Sequence, residues 1–280
     1  MIKLHMEIQH NIMIKIAIIG YGYWGPNLLR NFESSKFFEK ELEYDFYFDH
    51  ILVIDHNKKG KITDKVVGTY RVNKGNYKDK KNFFYTSGEY DLTMLIKFNG
   101  NILELGRSCV DKDYRNGKTM QLLWSFIAQY VAKYDIKIMF GCASFPEISS
   151  ELIKKPLSYL YHYHLAPKEF RPIALPHRYI NMNLMPKDEI NIKEARRLVP
   201  PLVKGYLRLG AFIGEGAVLD KQFGTTDIFI VLKTDQVTKR YRSHYELDKS
   251  EISLSGKHKC IHYGELYTKY HGSSIKSIQS

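Results

Sequence analysis

Residues 101–143 constrain the fold of this chain more than any other stretch, because the spacing of their apolar side chains changes twice. Residues 101–110 alternate as a β-strand does, whereas residues 118–134 carry apolar side chains at helical spacing. A glycine-containing loop joins the two, and residues 136–143 alternate again. A strand, a loop, an amphipathic helix and a second strand in this order predict an α/β fold.

Weaker patterns on either side extend the predicted sheet and its helices. Further strands are predicted at residues 51–54, 65–72 and 227–232, the first two as a pair joined by a polar turn. Further helices are predicted at residues 158–165 and 192–209, the second interrupted at Pro200 and Pro201. With 280 residues, the chain is long enough for one large domain or two small ones.

The first central strand carries two opposite charges, Glu104 and Arg107, among apolar neighbours. Unpaired charges are costly to bury, so a buried strand that holds both is unusual. One explanation is a structural ion pair, or an exposed position on an edge strand. The other is a functional cleft, since Gly106 can mark a bulge that turns one side chain until both face the same side. The residues alone leave both explanations open.

The loop before the central helix has the features of an anion-binding site. Residues 111–117 lead directly into the helix, and the first turn of a helix has backbone N–H groups without intrahelical acceptors. Arg115 and Lys118 add positive charge at the same end. An ordinary strand-to-helix turn with Gly117 at a tight position explains the same stretch equally well.

The charge balance narrows the class of partner. The chain has 42 lysine and arginine residues against 30 acidic residues, a net charge of +12, which favours an anionic partner such as an acidic protein or an anionic lipid surface. Nucleic acid is not expected, because the basic residues form no dense run and no zinc-finger or RNP-like motif is present. No apolar run is long enough to span a bilayer and no signal-peptide pattern is present, so we expect a cytoplasmic protein.

Metal and disulfide sites are not predicted. The three cysteines are too few and too scattered for a disulfide framework or a zinc site, and Cys109 and Cys142 are expected to be packed free thiols. His162 and His164 lie in a tyrosine-rich segment that predicts the wall of an acyl channel or part of the core. Helical spacing places these two histidines on different faces, so they do not form a metal pair.

Several blocks of sequence resemble a known family of enzymes. They are DHILVID (49–55), VGTYR (67–71), LELGRSCV (103–110), GCAS (141–144), LSYLYHYH (157–164), PLVKGYLRLGA (201–211) and FGTTDIF (223–229). In this order they resemble the ornithine–acyl carrier protein N-acyltransferases of the GNAT superfamily, which make lyso-ornithine lipid. The resemblance runs over roughly two hundred residues, and it implies a GNAT-like mixed central sheet flanked by helices.

The resemblance also implies roles for individual residues. Glu104, directly or through water, would take a proton from the amine of ornithine. Arg107 would position a phosphate or a carboxylate, and His50 is a further catalytic candidate. A backbone N–H near Cys109 or Val110 would stabilise the oxyanion. The remaining residues of the acyl-donor site would be Arg115, Asn116, Gly117, Lys118 and Thr119.

One departure from the superfamily pattern bears on the acyl donor. The usual coenzyme A loop is Gln/Arg-x-x-Gly-x-Gly/Ala, but here Tyr114 and Thr119 occupy the outer positions around Gly117. Such a loop is incomplete for binding a pyrophosphate. An acyl carrier protein presents phosphopantetheine through a single phosphodiester, and carrier proteins are acidic, which fits the positive charge. We therefore expect no bound cofactor and a 3-hydroxyacyl carrier protein as donor, with an anionic membrane surface as a further partner.

The amino-terminal residues 1–32 have a competing pattern. A strand-like run precedes Gly20, Gly22 and Gly25 and a predicted helix, which is the dinucleotide-binding fingerprint in its required context. This stretch resembles the start of dehydrogenases of the glucose–fructose oxidoreductase type and suggests an NAD-dependent oxidoreductase as an alternative. The fingerprint is doubtful, however, because no acidic residue about 20 positions later ends a convincing strand.

Three regions are therefore expected along the chain. Residues 1–32 form an atypical leader with a strand and a helix, residues 33–248 a GNAT-like acyltransferase domain, and residues 249–280 a basic tail that we expect to be flexible. The leader stands where an acyltransferase has elements that help to form the acceptor pocket. A catalytically impaired GNAT-like protein is therefore the second alternative.

Overall fold

The computed structural model of the chain describes residues 44, 48–60, 62–76, 84–146, 150–221 and 223–237. The strands in these residues are β1 (Asp49–Ile54), β2 (Val66–Asn76), β3 (Tyr90–Asp91), β4 (Asn101–Val110), β5 (Ile136–Phe145), β6 (Ile173–Ala174), β7 (Tyr179–Ile180), β8 (Phe212–Asp220) and β9 (Thr225–Lys233). The α-helices are α1 (Thr93–Ile96), α2 (Lys118–Lys133), α3 (Ser150–His164), α4 (Ile192–Leu198) and α5 (Pro201–Leu209).

The chain divides into two compact units. Unit 1 takes its described residues from Met1–Asn73 and Arg107–Tyr130, and unit 2 takes its own from Lys74–Gly106 and Val131–Ser243. Each unit is therefore built from segments that are distant in sequence.

Unit 1 contains the predicted pair of strands and most of the central helix. β1 pairs antiparallel with β2, with Asp49 opposite Val72, as the polar turn between them predicted. Helix α2 packs closely on β2, because a Cβ atom at Gly68 would lie 2.6 Å from the methyl group of Thr119. The rings of Tyr70 and Trp124 meet edge to face one helical turn further on. A glycine at position 68 thus lets the start of the helix approach the strand.

Unit 2 contains a mixed sheet with the strand order β4, β5, β9, β8, β6 and β3, and β7 also pairs with β8. β4 and β5 are parallel, whereas β5, β9 and β8 are antiparallel to one another. One face of this sheet carries a buried apolar cluster that includes Phe84, Leu95, Ile102, Phe140 and Phe229. The mixed sheet with helices agrees with the predicted fold class.

The parallel pairing of β4 with β5 ends at Glu104, which lies opposite Phe140, although β5 continues to Phe145. At Gly141, the next residue of β5, the space that a side chain would occupy is taken by the backbone carbonyl of Leu105. A Cβ atom at Gly141 would lie only 2.1 Å from the carbonyl oxygen of Leu105. Glycine is therefore required where the two strands stop pairing.

Several predicted elements differ from the observed ones in length. The aromatic helix begins at Ser150, earlier than predicted, and it accommodates Pro156. The helical region after residue 191 is interrupted at Val199 and Pro200, as the two prolines predicted. Strand β8 was not predicted from the sequence, because Gly214 and Gly216 disrupt its alternation.

Some predictions lie outside the described residues. They are the fingerprint at Gly20, Gly22 and Gly25, the whole leader at residues 1–32 and the tail at residues 249–280. Among the residues that are described, none of the helices has the length and apolar character needed to cross a membrane.

Candidate active site

Glu104 is the buried anchor of a turn in unit 2. Its side chain is 3% exposed, and its Oε1 atom accepts hydrogen bonds from the backbone N–H of Thr86 (2.7 Å) and from the Thr86 hydroxyl (2.5 Å). Its Oε2 atom accepts a third hydrogen bond, from the backbone N–H of Tyr85 (3.0 Å). The carboxylate thus holds the start of the short 3₁₀ helix Tyr85–Gly88 against strand β4. Contacts with backbone donors satisfy the buried charge.

Glu89 follows this turn directly and is also buried, with 6% of its surface exposed. The thiol of Cys142 on β5 donates a hydrogen bond to Glu89 Oε2 over 3.2 Å. On the other side, Arg178 Nη1 lies 3.6 Å from Glu89 Oε1, an ion pair without hydrogen-bond geometry. Cys142 is two residues beyond Phe140, so Glu89 lies next to the end of the β4–β5 pairing.

The surroundings of Glu89 raise its pKa to about 7. Burial is the largest cause, and the nearby carboxylate of Asp227 adds to it. The Cys142 hydrogen bond and the positive charge of Arg178 act in the opposite direction. A carboxyl group with a pKa near neutrality can accept a proton from a substrate and release it again at ordinary pH.

Two further groups near Glu89 are kept neutral. Burial is the main reason that the pKa values of the Cys142 thiol and the Tyr90 hydroxyl are raised well above their ordinary values. The Tyr90 hydroxyl donates to backbone carbonyls of Gly216 (2.9 Å) and Asp227 (3.2 Å). Cys142 is a free thiol with a hydrogen-bond partner, and Cys109 is likewise free.

Three carboxylates of unit 2 are close enough to share a cation. Each of Glu89, Asp220 and Asp227 offers an oxygen, and these oxygens lie within 4.8 Å of one another. Among the described residues, these three form a group whose geometry could hold a metal ion. The guanidinium of Arg178 beside Glu89 already supplies positive charge there.

In unit 1, the start of helix α2 forms an exposed and basic corner. Arg115, Asn116, Gly117 and Lys118 are all exposed. Asn116 Oδ1 accepts the backbone N–H of Lys118 (3.1 Å), and Gly117 adopts a left-handed conformation with φ of 89°. The first intrahelical hydrogen bond then runs from the Gln121 N–H to the Gly117 carbonyl. The N–H groups between these two points are typical anion ligands.

The rest of the predicted donor site surrounds this corner. Arg115 Nε donates to the Val110 carbonyl over 3.1 Å, which ties the loop to the end of β4. Thr119 differs from the exposed residues before it, because it is buried against β2. The hydroxyl of Tyr114 donates a hydrogen bond to Asp55, and this hydrogen bond raises the pKa of Tyr114 to about 12. Burial raises the pKa of the Cys109 thiol, so that it is protonated at neutral pH.

The two remaining catalytic candidates also lie in unit 1. His50 is 3% exposed and lies opposite Arg71 in the β1–β2 ladder, while the guanidinium of Arg71 lies 5.0 Å from the ring centroid of Phe48. Arg107 is half-buried and has a positive φ of 51° within strand β4. The positive φ of this part of β4 is therefore at Arg107 and not at the neighbouring Gly106, where the sequence predicted a bulge.

The two histidines of the aromatic helix have separate hydrogen-bond partners. His162 Nε2 lies 3.0 Å from the Met185 carbonyl, and His164 Nε2 lies 2.8 Å from the Tyr159 hydroxyl. Burial lowers the pKa of His164, so its neutral form is favoured. These contacts fit a packed wall.

The structure thus adds residues that the sequence did not point to. Glu104 belongs to unit 2, whereas the other predicted site residues from His50 to Thr119 belong to unit 1. Glu89, Arg178 and Asp227 come from three separate segments of unit 2. Asp227 lies in the block FGTTDIF (223–229), but the sequence assigned it no role. Glu89 and Arg178 lie in none of the blocks that resemble the family.

Comparison with known proteins finds a family model and several named relatives to which the chain is similar. Residues 38–125 match the family model described as "Acetyltransferase (GNAT) domain". A protein of Brucella abortus named L-ornithine N(alpha)-acyltransferase is 45% identical over 204 residues, covering 72% of this chain and 73% of that protein. One of the same name from Agrobacterium fabrum is 41% identical, covering 75% and 72%.

Among solved structures, Arabidopsis thaliana NAA60 in complex with acetyl-CoA is similar at 12% sequence identity and a TM-score of 0.39, covering 79% of this chain and 99% of that one. The named relatives are acyltransferases, and they give no support to an NAD-dependent oxidoreductase.

Proposed function

This chain belongs to the L-ornithine N(alpha)-acyltransferase family, and we propose that it transfers a 3-hydroxyacyl group from acyl carrier protein to the α-amine of ornithine. The product would be lyso-ornithine lipid. The observation that supports the proposal most strongly is the identity of 45% with a protein of that name over nearly three quarters of both chains.

The exposed corner at the start of α2 supports a phosphorylated donor. Arg115 and Lys118 provide positive charge beside the backbone N–H groups of a helix start. A single phosphodiester needs fewer ligands than the pyrophosphate of coenzyme A. The buried Thr119 and the Asp55-bound Tyr114 leave this loop with few side chains for a second phosphate. We infer that phosphopantetheine on a carrier protein is the preferred donor.

The acidic side chains of unit 2 support an amine acceptor. Glu89, Asp220 and Asp227 together create a negative region in which a cationic amino acid is favoured. Two carboxylates there are candidates for accepting the proton of the amine, Glu104 and Glu89. Glu104 was predicted from the sequence, directly or through water, but its oxygens already accept three hydrogen bonds.

The roles of the unit 1 residues follow the chemistry of thioester aminolysis. Attack by the amine creates an oxyanion, and a backbone N–H near Cys109 or Val110 is our candidate for stabilising it. Arg107 would bind the donor phosphate or the ornithine carboxylate, because a guanidinium can do so with two parallel hydrogen bonds. His50 lies opposite Arg71 in the β1–β2 ladder, within the block DHILVID that resembles the family, and is proposed to orient Arg71 and the strand that carries it.

An anionic membrane surface is proposed as a further partner, since the product is amphipathic. Helices α3 and α4 carry exposed apolar side chains, among them Leu152, Ile192 and Leu198. Arg196 and Arg197 are exposed on the same helix as the last two. Exposed apolar side chains beside basic residues fit a peripheral attachment to anionic lipid.

The direct test is an assay with purified protein, 3-hydroxyacyl carrier protein and ornithine. Release of free thiol and the mass of the acylated amino acid would be measured together. We expect both signals, and a panel of other amino acids should give much slower release. Absence of turnover with an intact, folded protein would instead support the catalytically impaired alternative. A fluorescence titration with NADH serves as a control, for which no binding is expected.

The same assay with 3-hydroxyacyl coenzyme A distinguishes the two donors. We expect a clear preference for the carrier protein, and equal kcat/KM for both donors would contradict the carrier proposal. Replacement of Lys118 by glutamine should raise KM for the carrier and leave kcat nearly unchanged, because the lysine binds the donor in all states alike. Lys168→Gln, an exposed lysine of unit 2, is the matched control.

A further inference from the structure

We propose that Asp55 and Tyr114 are a pair of positioning residues for the acyl donor. Together they tie the turn after β1 to the loop that leads from β4 to the exposed corner at the start of α2. The inference deepens the proposed function and rests on it, because it concerns how the donor loop is held before the donor binds. All of the residues concerned belong to unit 1.

Two contacts join the turn to the loop, although the two segments are far apart in sequence. The hydroxyl of Tyr114 donates a hydrogen bond to Asp55 Oδ2 over 2.5 Å, across 59 positions of the chain. Lys58 Nζ lies 3.6 Å from Asp111 Oδ2 and 5.6 Å from the centroid of the Tyr114 ring. The turn therefore contacts the loop at both Asp111 and Tyr114.

These two loop residues delimit the single 3₁₀ turn, Lys112–Tyr114, that forms the base of the loop. Asp111 is its N-cap, and Asp111 Oδ1 accepts the backbone N–H of Asp113 over 3.1 Å. The backbone N–H of Asp111 also donates to the Val67 carbonyl on β2 over 2.9 Å. Tyr114 is the last residue of the 3₁₀ turn, and the exposed corner begins at the next position. The place of the corner therefore depends on the contacts that fix this base.

The corner itself is held by local contacts. Arg115 Nε donates to the Val110 carbonyl five positions earlier, and Asn116 Oδ1 accepts the N–H of Lys118 two positions later. A Cβ atom at Gly117 would meet nothing within 4 Å. An exposed loop that has to become ordered when its ligand binds loses affinity, whereas a loop that is already fixed does not. A tie to a distant turn supplies such preorganisation.

Asp55 is arranged to make this tie. Its Oδ1 atom accepts the backbone N–H of Asn57 over 2.9 Å, while Oδ2 accepts from Tyr114. Its own backbone N–H donates to the Lys65 carbonyl, so Asp55 is fixed within its turn. The hydrogen bond from Tyr114 is the largest cause that lowers the pKa of Asp55, and the charge of Lys58 acts in the same direction. Asp55 is therefore ionised at neutral pH, and a hydrogen bond to an ionised acceptor is stronger than one between neutral groups.

Tyr114 occupies the first position of the loop pattern, where the superfamily has Gln or Arg. A tyrosine hydroxyl has one proton to donate, and here Asp55 accepts it. The side chain at this position thus supports the loop from below. The donor phosphate is left to Arg115, Lys118 and the backbone N–H groups of the helix start.

The first experiment is a double-mutant cycle of Tyr114→Phe and Asp55→Ala, assayed with 3-hydroxyacyl carrier protein and ornithine. We expect Tyr114→Phe to raise KM for the carrier protein by roughly 3- to 10-fold, the effect of one lost hydrogen bond. The value of kcat and KM for ornithine should stay within about twofold. In the Asp55→Ala background, Tyr114→Phe should have no further effect, because its partner is already absent.

The second experiment observes the loop directly, by hydrogen–deuterium exchange of a peptide that covers residues 111–118. Exchange should be roughly fivefold faster or more in Tyr114→Phe and Asp55→Ala than in the wild type, whereas peptides from β8 and β9 should keep their rates. The matched controls are Tyr179→Phe and Asp188→Ala, which change exposed residues of unit 2 and should alter neither exchange of the loop nor KM. The melting temperature shows that each variant is folded.

The outcomes separate the two proposals. If the wild-type protein releases no thiol with ornithine and 3-hydroxyacyl carrier protein, the proposed function fails, and the donor role of the pair fails with it. If the wild-type protein is active and Tyr114→Phe has the KM and the loop exchange of Tyr179→Phe, the pair is refuted while the function stands.

Two further results would also overturn the role of the pair. An equal rise of KM on adding Tyr114→Phe to the wild type and to Asp55→Ala would show that Tyr114 acts without Asp55. Faster exchange of the loop with an unchanged KM for the carrier protein would show that the tie is merely structural. A rise of KM that is confined to the donor, together with faster exchange and a non-additive cycle, is the result that supports the proposal.

Discussion

Replacing Glu104 by glutamine should destabilise the protein by about 3 kcal/mol, since the replacement acts on three buried hydrogen bonds. The glutamine side chain keeps the shape but has one oxygen and one NH₂ group. With its oxygen toward Thr86, it retains two acceptor contacts and points its NH₂ group at the Tyr85 N–H, which lies 3.0 Å from the present oxygen. Two donors then face each other in a buried site.

The magnitude follows from these contacts. A buried donor without a partner costs about 1–3 kcal/mol, and the two remaining bonds lose the strengthening that the negative charge gave them, about 0.5–1 kcal/mol each. The sum lies near 3 kcal/mol. In a protein of this size each kcal/mol lowers the melting temperature by about 2–4 °C, so a decrease of roughly 6–12 °C is expected.

The assay is thermal and urea denaturation followed by far-UV circular dichroism, with Glu169→Gln as the exposed control. The control should stay within about 0.5 kcal/mol of the wild type. A Glu104→Gln protein as stable as that control would refute the conclusion that Glu104 anchors the turn. If the variant is stable but its kcat falls by about 10²-fold, the result would instead support Glu104 as the residue that accepts the proton of the amine.

Three further predictions concern other parts of the molecule. Gly141→Ala should lower the free energy of unfolding by about 1–3 kcal/mol, because its Cβ would lie 2.1 Å from the Leu105 carbonyl oxygen; an unchanged urea midpoint would contradict this. The pKa of Glu89 is raised from 4.5 to about 7 on folding, so its ionisation weakens the folded state as pH rises through this window. Relative to wild type, Glu89→Gln should therefore gain roughly 3 kcal/mol of stability between about pH 4.5 and 8, measured by urea denaturation, and a pH-independent difference would exclude the shifted pKa. Lys118→Gln should flatten the salt dependence of KM for the carrier protein, and an unchanged salt dependence would argue against donor binding at this helix start.

The parts of the fold with a clear apolar period were predictable from the sequence. Strand β4, helix α2 and strand β5 were found at nearly their observed limits, because each has one buried face with a regular spacing. Strand β8 was missed because Gly214 and Gly216 replace side chains there. Gly214 makes room for Phe229, and a Cβ atom at Gly216 would lie 2.5 Å from the ring of Tyr179. Such glycines serve contacts with distant residues, which local spacing does not encode.

The candidate site was predictable where it follows one stretch of chain and not where it is assembled from several. The exposed corner at Arg115 and Lys118 belongs to a single loop and helix start, so the sequence indicated it directly. Glu89 depends on Cys142, Arg178 and Asp227, which are 53, 89 and 138 positions away, as the residue numbers give. Its raised pKa is a property of that assembly, because an isolated glutamate has no such neighbours.

Arg107 has a consequence for redesign of this protein. A side chain other than glycine at a φ of 51° costs about 1 kcal/mol or more, yet glycine stands one position earlier, at Gly106, where a Cβ would meet nothing within 4 Å. A search for more stable sequences would therefore select Gly or Asn at position 107 and discard the guanidinium. A single substitution at position 107 would remove the backbone strain of Arg107. Because we propose that Arg107 binds the donor phosphate or the ornithine carboxylate, a thermostabilised variant should keep arginine at position 107.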